Sequence, residues 1–310
     1  MHWERVLAGV DDSPQAAAAL ALAVRLARAT GGNCTPVHAV REWWVAFGDD
    51  DLAEHAAELR AALIDAERAA TGRALAGHAP DEVIRGMIVR PGRPAIALRD
   101  VARELDADLI VLGGKHHTVL RRWVGGSTAI DVVRSVALPV LVTAQRADDA
   151  PFRRILVAVD LSEAAVPTAT LAWELATTLG AELVALSVIE PPLSLPGLTT
   201  PLAQAEYSRR AVQALGRKVW PWFGARGIET VARGGQVIEA IQREALQRGA
   251  DLVVVGSHGK GWQERLLLGS VTERLLNNLP TSLLVVPVSP ERALATRPKT
   301  ATRRASARQR

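Results

Sequence analysis

The sequence predicts an α/β protein made of two similar domains in tandem, each a parallel sheet with helices on both faces. One observation behind this prediction is an internal repeat. RVLAGVD at residues 5–11 resembles RILVAVD at 154–160, and DADLIVLG at 106–113 resembles GADLVVVG at 249–256. The other is that short apolar runs alternate with helical patterns in each copy, as in sheets covered by helices. Each copy has about 140 residues, a common domain size.

The strands are predicted from apolar runs that are too short for a helix, such as Leu252–Val255, and the helices from apolar stripes, such as Val237, Ile241 and Ala245. In the first copy we expect strands at 4–10, 34–40, 83–89, 108–113 and 139–143, and helices at 14–30, 51–71, 94–105 and 127–135. In the second copy we expect strands at 153–159, 182–188, 228–233, 251–256 and 282–288, and helices at 164–179, 201–224, 236–248 and 270–278.

The domain limits follow from the end of each periodic pattern. A short polar stretch, 144–151, separates the copies, so we expect a first domain at 1–146 and a second at 151–289. Residues 290–310 form a basic tail with little to bury, a composition typical of disordered segments.

Composition and charge exclude several classes of protein. The net charge of +4 comes from the tail, because residues 291–310 hold seven basic residues against one acidic residue and leave −2 for the rest. A slightly acidic body argues against nucleic-acid binding. No apolar run reaches the ~20 residues that span a bilayer, and no signal segment precedes the first strand, so we expect a cytoplasmic protein without a membrane partner. The single cysteine, Cys34, excludes an internal disulfide bond.

The stretch at 251–272 has the parts of an anion site. A buried strand ends at Gly256, and a turn of small residues follows up to Gly259. Ten residues later Gly269 and Ser270 open a helix. Glycines let the backbone approach phosphate, and a helix N-terminus offers N–H donors with a positive dipole end.

An aspartate ends the first strand of the same copy. If the first and fourth strands are neighbours, Asp160 faces this turn across one crevice beyond the carboxyl ends of the strands. A carboxylate repels bare phosphate, so Asp160 suits a ribose hydroxyl or a divalent cation carried by a nucleotide. A purely structural alternative remains, because Ser270 and Glu273 have the spacing of a capping box, which needs no ligand.

The spacing Gly256-x2-Gly259-x9-Gly269-Ser270 resembles the nucleotide-binding signature of the universal stress protein family. The resemblance covers both copies and implies flavodoxin-like sheets of strand order 3-2-1-4-5, which pair through their fifth strands within the chain. It also implies ATP as the cofactor, with Mg²⁺ as an optional companion. In the second copy the residues expected to contact ATP are Val159, Asp160, Val188, Gly256, Ser257, His258, Gly259, Gly269, Ser270 and Val271.

The first copy departs from this signature. Its spacing reads Gly113-x2-His116-x9-Gly126-Ser127, so a histidine stands where the second glycine is expected. The histidine either shifts the loop or, when protonated, faces the phosphates. The corresponding candidate residues are Asp11, Ala39, Gly113, His116, Gly126, Ser127 and Thr128. We therefore expect the second copy to bind nucleotide more tightly than the first.

The residues favour a regulator over a fast enzyme. The sequence offers no positioned base, nucleophile or cation clamp for phosphoryl transfer. We expect a cytoplasmic, ATP-dependent stress-response switch with a protein partner that the sequence does not identify. Two alternatives remain: a slow ATPase or adenylyl-transferring enzyme, and a nucleotide-free scaffold. Whether whole chains also form a homodimer stays open.

Overall fold

The structure is a computed structural model. It describes residues 3–40, 53–117, 122–124, 126–144, 152–160, 165–190, 200, 202–203, 206–207, 209–210, 213, 221–257 and 268–287, with backbone only at 53–57, 115–117, 122–124 and 126. The tail at 290–310 and the residues His258 and Gly259, which the sequence singles out, lie outside these ranges.

The first domain alternates strands and helices in the predicted order. Its strands are β1 (Arg5–Val10), β2 (Asn33–Val40), β3 (Ile88–Pro91), β4 (Leu109–Gly113), β5 (Lys115–His117), β6 (Arg122–Val124) and β7 (Val140–Thr143). Its helices are α1 (Pro14–Ala29), α2 (Ala53–Leu75), α3 (Asp81–Arg85), α4 (Pro94–Glu104) and α5 (Gly126–Ser135).

The second domain repeats this order. Its strands are β8 (Arg154–Ala158), β9 (Glu182–Ile189), β10 (Glu229–Gly234), β11 (Leu252–Gly256) and β12 (Ser282–Val286). Its helices are α6 (Val166–Leu179), α7 (Val237–Arg248) and α8 (Ser270–Asn277). Of the helix predicted at 201–224, the described residues 202–203, 206–207, 209–210, 213 and 221–224 are helical.

Local sequence explains where several helices begin and end. In α1, Ser13 caps the N-terminus by accepting a hydrogen bond from the N–H of Ala16, and Pro14 occupies the first turn, where its missing N–H costs nothing. Helices α6 and α7 end at Gly180 and Gly249, which adopt φ values of 65° and 61°. Only glycine takes this left-handed conformation without strain, so both helices stop where the prediction places their ends.

In the described part of the chain, ten strands form one continuous sheet in the order β10-β9-β8-β11-β12-β7-β4-β1-β2-β3. Each half therefore has the order 3-2-1-4-5 with parallel pairing, as the sequence predicts. The first and fourth strands of each domain are neighbours, so their carboxyl ends meet at one edge of the sheet.

The two halves join through their fifth strands. Strands β7 and β12 pair antiparallel, with Leu141 opposite Leu284, and the hydroxyl of Ser282 accepts the N–H of Ala144 at 3.1 Å. Helix α5 packs against α8 beside this seam. This is the domain pairing that the family resemblance implies.

Both faces of the sheet are covered. One apolar cluster lies under α1, α2 and α6 and includes Leu20 and Leu175, and the other lies under α4, α5, α7 and α8 and includes Leu98 and Leu275. Alternate strand residues enter opposite clusters, which is why the strands read as continuous apolar runs.

Two predictions for the first domain are wrong. The strand expected at 83–89 lies at Ile88–Pro91, because residues 81–85 form the short helix α3. The two acidic residues in its first turn, Asp81 and Glu82, favour this helix, which is too short to show a period. The loop expected after Gly113 instead contains the antiparallel hairpin β5–β6.

No helix among the described residues combines the length and apolar character needed to cross a bilayer.

Candidate functional site

A crevice opens beyond the carboxyl ends of β1 and β4 in the first domain. Its volume is about 260 Å³, and it brings together residues from the ends of three strands and the start of α5. The predicted site residues Asp11, Ala39, Gly113, Ser127 and Thr128 all line this crevice. Gly126 is the first residue of α5. The structure thus places five of the first-domain candidates around one cavity.

Asp11 is engaged by the start of α1. Its carboxylate accepts hydrogen bonds from the backbone N–H of Ser13, at 3.0 Å, and from the Ser13 hydroxyl. The same hydroxyl accepts the N–H of Ala16 and caps α1. Both hydrogen bonds reach the same oxygen atom, Oδ1, and the Asp11 side chain is exposed to solvent.

Gly113 has a structural reason to be glycine. A Cβ at this position would lie 2.7 Å from the carbonyl oxygen of Gln15 and 2.8 Å from its carbonyl carbon. Both atoms belong to the backbone of α1, which cannot move aside without disturbing the helix start. Close packing of α1 on β4 thus explains Gly113 without any phosphate.

His116 lies in β5, whose backbone pairs with β6 in the register His116 opposite Trp123. The departure from the glycine signature therefore coincides with an antiparallel hairpin. The hairpin also crosses to the other domain, because β6 lies against α8.

In the second domain, α8 is held directly on the end of β11. The N–H of Gly269 donates to the carbonyl of Ser257 at 2.9 Å, and the hydroxyl of Thr272 donates to the carbonyl of Gly256 at 2.8 Å. The N–H of Ser257 in turn donates to Val286 on β12 at 2.7 Å. These bonds bring the first turn of α8 to the carboxyl end of β11, as the spacing predicts.

The capping box considered for Ser270 and Glu273 is not formed. Gly269 is the N-cap residue of α8, Ser270 is the first helical residue, and within the described part of the chain no side chain caps the helix. Glu273 instead accepts a hydrogen bond from the guanidinium of Arg134 in the first domain, at 3.2 Å. The first-turn N–H groups, which have no partners within a helix, are thus not used by a side-chain cap.

The other second-domain candidates frame the same edge. Val159 follows β8, is buried, and donates its N–H to Leu186. Asp160 is half-buried, with its Oδ2 atom fully shielded from solvent. Val188 near the end of β9 and Val271 in α8 are half-buried. Ser257 is buried.

His38 also lines the first-domain crevice, although it was not among the residues predicted from the sequence. Its Nδ1 atom lies 2.9 Å from the carbonyl oxygen of Val10, and its Nε2 atom lies 3.5 Å from a carboxylate oxygen of Glu67 on α2. The repeat places Ser187 at the equivalent position of the second domain. The available signal was its position directly before Ala39, at the end of β2.

Among the described residues, no cluster of three or more His, Cys, Asp or Glu side chains could hold a metal ion. Burial raises the pKa of the Cys34 thiol to about 12, so this cysteine remains protonated and unreactive near neutral pH.

Two segments of the chain, residues 2–144 and 151–287, match the universal stress protein family. The chain belongs to this family. Among curated members, the universal stress protein Rv2005c of Mycobacterium tuberculosis (strain ATCC 25618 / H37Rv) is 31% identical over 190 residues, which cover 58% of this chain and 62% of that protein. The chain thus matches less than two thirds of the length of this relative.

Solved structures show the same two-domain fold in other members. A universal stress protein from Archaeoglobus fulgidus DSM 4304 superposes with a TM-score of 0.57 at 18% identity, covering 94% of this chain and 99% of that chain. A putative universal stress protein from Pseudomonas aeruginosa UCBPP-PA14 gives a TM-score of 0.59 at 17% identity, with coverage of 94% and 95%. These likenesses confirm the predicted fold.

Proposed function

We propose that this universal stress protein is an ATP-binding regulator whose principal nucleotide site lies in the second domain. The observation that carries the proposal is the start of α8, which no side chain of the described residues caps and which hydrogen bonds hold against the end of β11. A helix N-terminus of this kind attracts phosphate through its N–H groups and dipole. The domain limits 1–146 and 151–289 and the cytoplasmic location stay predictions.

Each candidate residue has a distinct role in this proposal. Asp160, half-buried at the end of β8, accepts the ribose hydroxyls. Val188 contacts the adenine, and Gly256, Gly269 and Ser270 surround the phosphates. His258 and Gly259 complete the phosphate loop on the strength of the sequence signature alone. The first-domain crevice, with about 260 Å³, offers a second and weaker site.

A magnesium ion fits this site only as a companion of the nucleotide. The described residues contain no protein cage of carboxylates for a metal, but Mg²⁺ is commonly bound by one or two carboxylates together with phosphates and water. Asp160 is the carboxylate that could join such a set. When bound, the ion would neutralise part of the phosphate charge.

The function is proposed as a switch because the site provides contacts rather than reacting groups. Nucleotide binding would change the conformation of the surface around α8, and a protein partner could recognise this change. The stress-response role rests on family membership, since a fold alone does not define a function.

The identity of the bound molecule can be tested on the purified full-length chain. Denaturation followed by ion-exchange chromatography should release an adenine nucleotide. For nucleotide-free protein, added ATP should raise the melting temperature, because ligand at a hundred times its Kd stabilises a protein by about 2.7 kcal/mol. No released nucleotide together with an unchanged melting temperature would favour the scaffold. Multiple turnovers per minute that Asp160→Ala abolishes would favour the enzyme.

A further inference from the structure

The ion pair between Arg134 and Glu273 joins the first domain to the helix that opens the second site. Arg134 lies in the last turn of α5, and Glu273 lies in the first turn of α8. Their Nη2 and Oε2 atoms are 3.2 Å apart, and both side chains are about two-fifths exposed. The pair sits beside the β7–β12 seam, where α5 packs on α8.

The pair has no counterpart in the first domain. Alignment of Gly126 with Gly269 places Ile130 at the position of Glu273 and Asn277 at the position of Arg134. The start of α5 therefore carries no carboxylate at this position, whereas the start of α8 does. An acidic group at this point is unfavourable for a phosphate site, because it competes with the phosphates for the positive end of the helix.

We propose that Arg134 is a positioning residue of the second site: it pairs with Glu273 and so keeps the start of α8 electropositive for phosphate. This inference rests on the proposed nucleotide function. A residue of the first domain would thus contribute to nucleotide binding in the second domain, whether or not the first-domain crevice binds a ligand of its own. It also explains why Glu273 does not serve as a cap: its carboxylate is held by the neighbouring domain instead.

The alternative is that the pair only braces the two domains. If the pair is only a brace, neutralising either partner should weaken nucleotide binding equally, whereas the electrostatic role predicts weaker binding only when Arg134 is neutralised. Without the guanidinium, the Glu273 carboxylate repels the phosphates. Without the Glu273 carboxylate, the start of α8 carries no negative charge at this position for Arg134 to neutralise.

The test measures ATP binding to the full chain by calorimetry in wild type, Arg134→Gln, Glu273→Gln and the double variant. The second-site phase is identified as the one that Asp160→Ala weakens. We expect Arg134→Gln to weaken this phase about two- to fivefold at low ionic strength and less at high ionic strength. Glu273→Gln should not weaken it, and the double variant should match Glu273→Gln.

Matched controls separate local from general charge effects. Arg103 is exposed in the last turn of α4, and Glu82 is exposed in the first turn of α3. Arg103→Gln and Glu82→Gln change the net charge by the same amounts in first-domain helices, and should leave second-site affinity unchanged.

Two results would overturn the inference, and they differ in whether the proposed nucleotide function also fails. If wild type binds ATP but Glu273→Gln weakens binding as much as Arg134→Gln, the pair is a brace and the nucleotide function stands. If wild type binds no adenine nucleotide, the inference and the proposed function both fail.

Discussion

The aspartates that end the first strands differ between the two domains. Asp11 is exposed and accepts two hydrogen bonds from Ser13, which ties it to the start of α1. Asp160 is half-buried, and one of its carboxylate oxygens is shielded from solvent. The two carboxylates therefore differ in how far the protein covers them.

The segments after the fourth strands differ as well. In the first domain this segment is the hairpin β5–β6, which lies against α8 of the other domain. In the second domain the sequence keeps both glycines of the signature, Gly256 and Gly259. The strand order is identical in the two halves. The comparison teaches that the apolar core preserves the fold while a few residues at the strand ends are free to diverge.

Replacing the two aspartates in turn should give the largest difference in ATP affinity between the two domains. We expect Asp160→Ala to weaken the tighter phase of ATP binding about 10- to 100-fold, because a hydrogen bond to a charged group contributes about 1.5–3 kcal/mol. Asp11→Ala should leave that phase unchanged. Calorimetric titration of both variants provides the measurement.

Equal losses in the two aspartate variants would show that the domains bind alike and would remove the proposed asymmetry. Unfolding curves of each variant serve as the control for loss of structure, which matters most for Asp11 since it supports the α1 cap.

A glycine of the first domain should matter for stability. We expect Gly113→Ala to lower the free energy of unfolding by about 1–3 kcal/mol, the usual cost of overpacking, because its Cβ would meet the backbone of Gln15 at 2.7 Å. Chemical denaturation monitored by circular dichroism would measure the change. Gly77→Ala is an unsuitable control because its φ of 79° adds strain, whereas Gly224→Ala adds a Cβ in open space. If Gly113→Ala leaves the free energy of unfolding unchanged, close packing does not explain the glycine, and ligand binding becomes the better explanation.

The smallest effect concerns charge in the second domain. Arg248 bridges Glu229 and the buried Glu244, and its hydrogen bond lowers the pKa of Glu229 below the ordinary 4.5. A lowered folded-state pKa stabilises the fold above the unfolded pKa, and this contribution is lost as the pH falls through the folded value. The first domain has Gly86 at the position of Glu229 and Val101 at that of Glu244.

We expect Glu229→Gln to cost less than about 1 kcal/mol of unfolding free energy at pH 7, since an exposed pair is screened by solvent. The difference from wild type should shrink as the pH falls below 4.5. Urea denaturation at both pH values measures this, and a difference that persists in acid would assign it to packing.

Most of the fold could be predicted because its signals are local and repeated. Apolar runs such as Leu252–Val255, and glycines such as Gly180 and Gly249, mark strands and helix ends within a few residues. Because the sequence repeats, the same order of strands and helices could be predicted in both copies. The short elements were not predicted because the five residues of α3 and the three of β5 are too few to show a periodic pattern.

The proximity of the candidate residues at the strand ends could be predicted for a similar reason, since the ends of neighbouring parallel strands must meet. The partners of individual side chains could not be predicted. Ser270 and Glu273 have capping-box spacing, but Arg134, distant in sequence, holds the carboxylate. His38 was missed because its contacts with Val10 and Glu67 arise only when β2 and α2 pack together.

The unequal affinity of the two sites is the central claim, and replacing Gly259 by His tests it most directly. The substitution gives the second domain the residue that the first has at His116. Calorimetric titration of the full chain should show the tighter phase weakened about tenfold, or about 1.4 kcal/mol, toward the weaker phase. An ATP affinity that remains at the wild-type value in Gly259→His would contradict the account.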